Sequence, residues 1–176
     1  MPAELTDAIT GPGSIPPGRA LDLGSGTGTK AVFMASHGWR VSAVEAVPRA
    51  LAEARRRAGA AGVEVDFRQG DVTRLEQLEL EAGYTLVFDF GCYHGLNGGQ
   101  RDAYARGVNR LIARGGTLLL MGFARAQYPV TMGVTEADLT QRLGSGWKLA
   151  WTHPHRSAGT AAMQRGAATW FCLMRS

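Results

Sequence analysis

The chain is poor in the features that most quickly narrow a protein's chemistry. Among 176 residues there are two cysteines, Cys92 and Cys172, too few for a disulfide framework and without metal-ligand spacing. No run approaches the roughly 18 consecutive apolar residues that a membrane helix needs. Met1 to Pro17 shows no basic start followed by an apolar block, so no secretory signal is expected. A cytoplasmic location with no membrane partner follows as the expectation. Aromatic residues make up 8% of the chain and do not alternate with basic ones as on a base-stacking platform. The net charge is +4, but the basic residues are scattered, and the one run, Arg55–Arg57, lies in an alanine-rich helical stretch. It reads as a solvated helix face, and no nucleic-acid partner is expected. Internal repeats and low-complexity segments are missing too.

What is present is a globular composition, 45% apolar and 19% charged, in a length suited to one domain. Residues 1–18 form a short leading segment in which "GPGSIPPG" should be a loop that breaks any helix before it. Residues 19–176 are expected to be the single domain. Strand-like segments are Arg19–Gly24, Arg40–Ala46, Glu64–Gln69, Tyr84–Gly91 and Gly116–Phe123. Helical character falls on Gly28–His37, Pro48–Ala61, Thr73–Glu81 and Gly99–Ala113. Pro48 suits a first helical turn and Gly62 a stop just past the last. The strands "ALDL", "TLVFDF" and "TLLLMGF" are almost continuously apolar, as in a parallel sheet covered on both faces. A further helix, "VTEADLTQRL", is opened by Thr135 with Asp138 three residues on. Two strands then follow, Trp147–Thr152 and Thr169–Met174, with no helix between them, so they should pair antiparallel.

Directly after the first strand comes "GSGTG", opening a helix, and Glu45 ends the second strand about 20 residues on. Glycines there permit a tight turn and let a ligand approach the amides at the helix start. A carboxylate at the second strand's end can accept from both hydroxyls of a ribose. The plain alternative is a glycine-rich turn with no ligand. A dinucleotide fingerprint wants its third glycine five positions after the first. Counted from Gly24 that place is Thr29, and the third glycine, Gly28, falls one residue early. This spacing disfavours a pyrophosphate ligand and a nicotinamide-dependent oxidoreductase.

"LDLGSGTGTKAVFMA" resembles motif I of the class I S-adenosylmethionine-dependent methyltransferases, in which an acidic residue stands two before a G-x-G-x-G turn. The resemblance implies that Asp22, Gly24, Ser25, Gly26 and Gly28 surround the methionine part of the cofactor, with Glu45 and Ala46 at the ribose. "VDFRQGDV" is similar to the family's third-strand motif, which implies that Gly70, Asp71 and Val72 meet the adenine. Asp22 also reads as a cap for loop amides, and Asp71 as the cap of a helix near Thr73. The fold implied is α/β: a doubly wound, Rossmann-like, mostly parallel seven-stranded sheet with an antiparallel C-terminal strand. S-adenosyl-L-methionine is the implied cofactor and S-adenosyl-L-homocysteine the product.

The fourth strand runs out into "FDFGCYHGLNGG", beside the expected switch in strand order, and the acceptor is placed there. Within this stretch His94 is a candidate general base and Tyr93 a residue to orient the acceptor. A loop histidine bonded to backbone is the alternative for His94, and a small buried apolar residue the reading for Cys92. Phe88 and Phe90 read as sheet core and cofactor wall. "FDFGCYHGL" is similar to the D-x-G-x-x-x-x-L stretch of the thiopurine- and tellurite-resistance-type branch, which implies that Asp89 and Gly91 lie near the cofactor. Two departures from that branch stand out: Tyr84-Thr85 where many relatives have Tyr-Asp, and only about 18 residues ahead of the first strand. The cleft is therefore open, covered by a partner chain, or shaped by Phe123–Gly133 and "HPHR". Phe123, Tyr128 and Met132 are candidates to line an acceptor pocket, or are merely loop hydrophobes. His153, His155 and Arg156 form a cationic cluster, but no carboxylate or cysteine nearby completes a metal site.

Transfer of a methyl group to an O, N or S atom of a small molecule is the function expected. A protein of the same fold that binds the cofactor without transferring methyl is the alternative. Monomer and homodimer stay equally open.

Overall fold

The computed structural model describes residues 1–124, 133–155 and 168–176. Among them are five α-helices: α1 (Ala3–Thr10), α2 (Thr29–Ser36), α3 (Pro48–Ala60), α4 (Gly98–Leu111) and α5 (Glu136–Leu143). The strands are β1 (Arg19–Leu23), β2 (Arg40–Glu45), β3 (Asp66–Gln69), β4 (Tyr84–Phe90), β5 (Ile112–Phe123), β6 (Trp147–Pro154) and β7 (Ala168–Arg175). They form one sheet in the order β3-β2-β1-β4-β5-β7-β6. Neighbours from β3 to β5 are parallel, and β7 lies antiparallel between β5 and β6. The strand order reverses between β1 and β4, which opens a crevice at their carboxyl ends.

Strand alternation sorts the apolar residues into two cores. Leu21 and Leu23 of β1 join Val87, Leu118 and Leu120 beneath α4 and α5. Ala20, Leu86, Phe88 and Leu119 join Met34, Leu51 and Ala54 beneath α1 to α3. In α3 the buried residues are Leu51, Ala54 and Ala58, a three-four spacing that gives one inward stripe and leaves Arg55–Arg57 largely outside. Gly62, at φ 66°, ends the segment after α3 as expected. α1 is anchored by fully buried Leu5.

Three expected elements differ. Thr73–Glu81 is not an α-helix: only the one-turn 3-10 helix Leu75–Gln77 forms. Leu75 and Leu80 are both buried, and five residues apart they would point about 140° away from each other on an α-helix. Arg110 instead donates to the Leu75 carbonyl at 2.9 Å and the Leu80 carbonyl at 3.4 Å. β5 begins at Ile112, directly after α4, rather than at Gly116. Thr135 caps α5 by accepting from the Asp138 amide at 3.1 Å, but the Asp138 carboxylate turns inward to Arg101 and Arg142 instead of closing a capping box.

Candidate active site

The turn from β1 to α2 has left-handed backbone at all three motif glycines: φ is 72° at Gly24, 56° at Gly26 and 76° at Gly28. The Gly24 and Ser25 amides donate to the Val44 carbonyl at 2.9 and 3.0 Å, which ties the turn to β2. Each glycine has its own surroundings. A Cβ on Gly28 would meet the Ala54 Cβ at 2.7 Å, and one on Gly24 would meet the Cys92 Cβ at 2.8 Å. On Gly26 it would meet nothing within 4 Å. Gly26 is the open face of the loop, where a ligand can come close.

Glu45 stands at the end of β2 with both oxygens engaged. Oε2 accepts from the Gly26 amide and Oε1 from the Val47 amide, each at 2.8 Å. The carboxylate is thus held in place with lone pairs to spare. Ala46 beside it is exposed. The Gly70 amide donates to the Glu45 carbonyl at 3.1 Å, which brings the third-strand motif alongside. Asp71 accepts from the Thr73 amide and hydroxyl, both at 2.8 Å, and so caps the turn after β3; Val72 is buried next to it.

Asp22 and Asp89 are buried carboxylates at the bottom of the crevice. Asp22 accepts from the Ala31 amide at the start of α2, yet its Oδ2 has no hydrogen-bond partner among the described residues. Burial pushes its carboxyl up to about 7, a rise that Lys30 opposes and Asp89 and Glu45 reinforce. Asp89 is also raised to about 7 by burial, against the hydrogen bonds it receives. Those bonds come from the Cys92 amide at 2.7 Å, the Tyr93 amide at 3.1 Å and the Tyr104 hydroxyl at 2.9 Å. Asp89 therefore shapes the turn Tyr93–Gly95 from below. Burial drives the Cys92 thiol well above its ordinary range, and Asp89, Glu45, Asp71 and Asp22 all add to this. The thiol is no nucleophile.

Gly91, at φ 88°, donates to the Met121 carbonyl at 3.0 Å, and a Cβ there would touch the His94 ring at 3.2 Å. His94 stacks on Phe123, ring centroids 4.4 Å apart, and its Nδ1 is buried with no partner among the described residues. Burial and the nearby Arg101 charge lower its pKa, so the imidazole is neutral and able to accept a proton at pH 7. Tyr93 does not accompany it. Its ring is 1% exposed and its hydroxyl donates to Asp138 at 2.9 Å, on the far side of the turn in the α4–α5 core. Consecutive residues of a tight turn diverge, and the larger apolar ring took the core. Phe88 is fully buried; Phe90 stacks near Trp170, centroids 5.6 Å apart, with Lys30 4.5 Å above its ring. The expected histidine cluster is split. His155 accepts from the Trp170 indole at 2.9 Å, whereas His153 lies on Trp151 with its Nδ1 3.8 Å from Glu4. Tyr128, Met132 and Arg156 lie outside the described residues.

The profile of the methyltransferase-domain family matches residues 20–116, more than half of the chain. The chain belongs to that family. An uncharacterised methyltransferase of Schizosaccharomyces pombe is 25% identical over 104 residues, 59% of this chain and 70% of the relative. A 2-heptyl-1-hydroxyquinolin-4(1H)-one methyltransferase of Mycobacteroides abscessus is 24% identical over 164 residues, 90% of this chain and 71% of the relative. Among solved structures, TehB from Haemophilus influenzae superposes with TM-score 0.81 at 14% identity, over all of this chain and 63% of that one. The N-methyltransferase NodS of Bradyrhizobium japonicum gives 0.77 at 16% identity, over 99% and 84%. This methyltransferase domain is thus of the class I type, with S-adenosylmethionine as its methyl donor, and the oxidoreductase reading falls away.

The methyltransferase's own residues fit that cofactor. Asp22 Oδ2 and Ser25 Oγ are buried polar atoms without partners among the described residues, both in the motif I turn. They sit amid carboxylates suited to a ligand that carries an ammonium and a sulfonium. Sequence reasoning missed three residues that surround or support the site. Tyr104 and Arg101 lie on α4, where only packing reveals them. Lys30 was visible in principle: a cation in the first turn of a helix opposes the helix dipole, which is a signal of something negative nearby.

Proposed function

We propose that this methyltransferase acts on a small aromatic acceptor bearing an acidic hydroxyl, with His94 as general base. The observation that carries the reading is the His94–Phe123 stack beside Gly91: a neutral, partly buried imidazole forming one wall of the crevice at the end of β4. Phe90 adds a second aromatic surface, and a planar ring is the shape that such walls receive. The quinolone relative, whose name describes a hydroxylated bicyclic aromatic, supports the same class.

When bound, the cofactor supplies a methyl group activated by its sulfonium. The protein's part is alignment, exclusion of water and handling of one proton. Glu45 and Asp71 stand where the ribose and adenine would be held, and the amides around Gly26 where the methionine end would lie. His94 takes the acceptor's proton as the oxygen attacks in line.

The test is a screen of phenols, N-hydroxy heteroaromatics, amines and thiols with labelled cofactor, repeated with His94→Ala. Transfer to hydroxylated aromatics should dominate, with turnover down about 10²- to 10⁴-fold in His94→Ala. Full turnover in the variant would remove the base. Tight cofactor binding with no transfer to any acceptor would favour the protein that binds without methylating.

A further inference from the structure

We propose that Arg101, on α4 and outside the crevice, is a positioning residue: one guanidinium ties the end of the turn that carries His94 to Gly133, ahead of α5. The inference rests on the reading of His94 as the base. Arg101 is completely buried. Its Nε donates to the Leu96 carbonyl at 3.1 Å, at the end of the turn that carries His94. Its Nη1 donates to the Gly133 carbonyl at 3.0 Å and to Asp138 of α5 at 2.8 Å. Gly133 is the last residue before Val134, whose amide closes back on the Phe123 carbonyl at 2.8 Å. The guanidinium thus grips one end of the segment that follows β5 and one end of the His94 turn. Below the guanidinium lies the Tyr93 ring, 4.7 Å away, whose hydroxyl shares Asp138.

Arg101 reaches two carbonyls and a carboxylate with one planar fork, which a lysine cannot reproduce. Nothing in the packing of α4 requires so costly a buried charge: Tyr104, Val108 and Leu111 already anchor that helix. What the guanidinium does is join the Leu96 and Gly133 carbonyls through one buried group. Among the described residues, α4 brings the Arg101 charge to bear on His94 with Asp138 of α5 paired to that guanidinium, while uncharged Gly91, Gly122 and Phe123 lie against the His94 side chain. The His94 turn itself adds Cys92 and Tyr93, both held neutral. Burial and, after it, the Arg101 charge lower the His94 pKa, and Asp138 is the ion-pair partner of Arg101.

Arg101→Met, Arg101→Lys and Asp138→Asn separate positioning from mere support. The His94 imidazole is titrated by NMR in the full chain, its signal assigned by its loss in His94→Ala. Arg101→Met should raise the His94 midpoint and Asp138→Asn should lower it, because one removes the cation and the other its counter-charge. Arg101→Lys keeps the charge and should leave the midpoint near wild type. It should still lose turnover, since the two-carbonyl grip is gone. Turnover should fall on the order of 10²-fold in Arg101→Met. Cofactor affinity should stay within about twofold, because the bonds of Arg101 to Leu96, Gly133 and Asp138 lie apart from the motif I turn. If Arg101→Met does not fold, the other two variants decide alone. A His94 midpoint unmoved in Asp138→Asn, or turnover in Arg101→Lys equal to wild type, overturns the proposal. Wild-type turnover in His94→Ala would instead overturn the base, and the titrations would still report the Arg101 field.

Discussion

Asp22 carries the tension of the site in one side chain. Its bond to the Ala31 amide stabilises the fold, while Oδ2 is buried without a partner among the described residues, a cost that a bound cation would relieve. Asp22→Asn keeps the amide's acceptor and removes the buried charge. The ligand-free variant should melt higher than wild type at pH 8, by roughly 2–4 °C for each kcal/mol recovered. Its affinity for S-adenosylmethionine should fall at the same time. Calorimetry with and without cofactor reads both, and a variant that melts lower while binding normally would show that Asp22 is only a cap. Residues of this kind were legible at different depths. Asp22 and Glu45 could be placed from motif spacing alone. Tyr93 could not, because spacing along a turn does not say which side chain the core will claim.

The β1–α2 turn is the proposed seat of the cofactor, and its glycines should separate on substitution. Gly28→Ala combines a left-handed backbone with a Cβ 2.7 Å from that of Ala54, so it should destabilise the fold outright. Gly26→Ala meets open space, and its expected cost is the backbone strain alone, about 1–2 kcal/mol. It should fold, yet bind cofactor weakly because the methyl projects where the ligand approaches. Equal affinity for wild type and Gly26→Ala in a titration would count against the loop as the cofactor's seat. Helices were less readable than this turn. α3 followed from its alanine-rich stripe and Pro48, but the segment around Leu75 has helical composition and is pulled apart by two buried leucines and Arg110.

Across the whole molecule, Asp22 and Asp89 give stability an unusual pH slope. Both carboxyls titrate near 7 when folded, above their ordinary 3.8, so the folded state holds more protons than the unfolded one. Their contribution is complete below about 4 and is lost as pH rises through about 7. The ligand-free protein should therefore lose stability between pH 5 and pH 8 in thermal melts, and the slope should shrink in Asp22→Asn. S-adenosylmethionine at a hundred times its Kd should add about 2.7 kcal/mol and roughly 5–10 °C to the melting point, and NAD should add nothing. A matching rise with NAD would contradict the cofactor assignment.

Sequence alone determined the alternation of strand and helix and the parallel sheet with its antiparallel close, and its resemblance to a known family implied the cofactor. The first two are written in local order: apolar runs, helical stretches and turn residues. Tertiary structure decided the rest of the site. It sent Tyr93 into the core and left His94 on Phe123, engaged Asp89 with Tyr104, and brought Arg101 from α4 to the Leu96 and Gly133 carbonyls. Burial and long-range hydrogen bonds made those choices. They depend on which surfaces meet once the sheet is covered, and the order of residues along the chain does not record that.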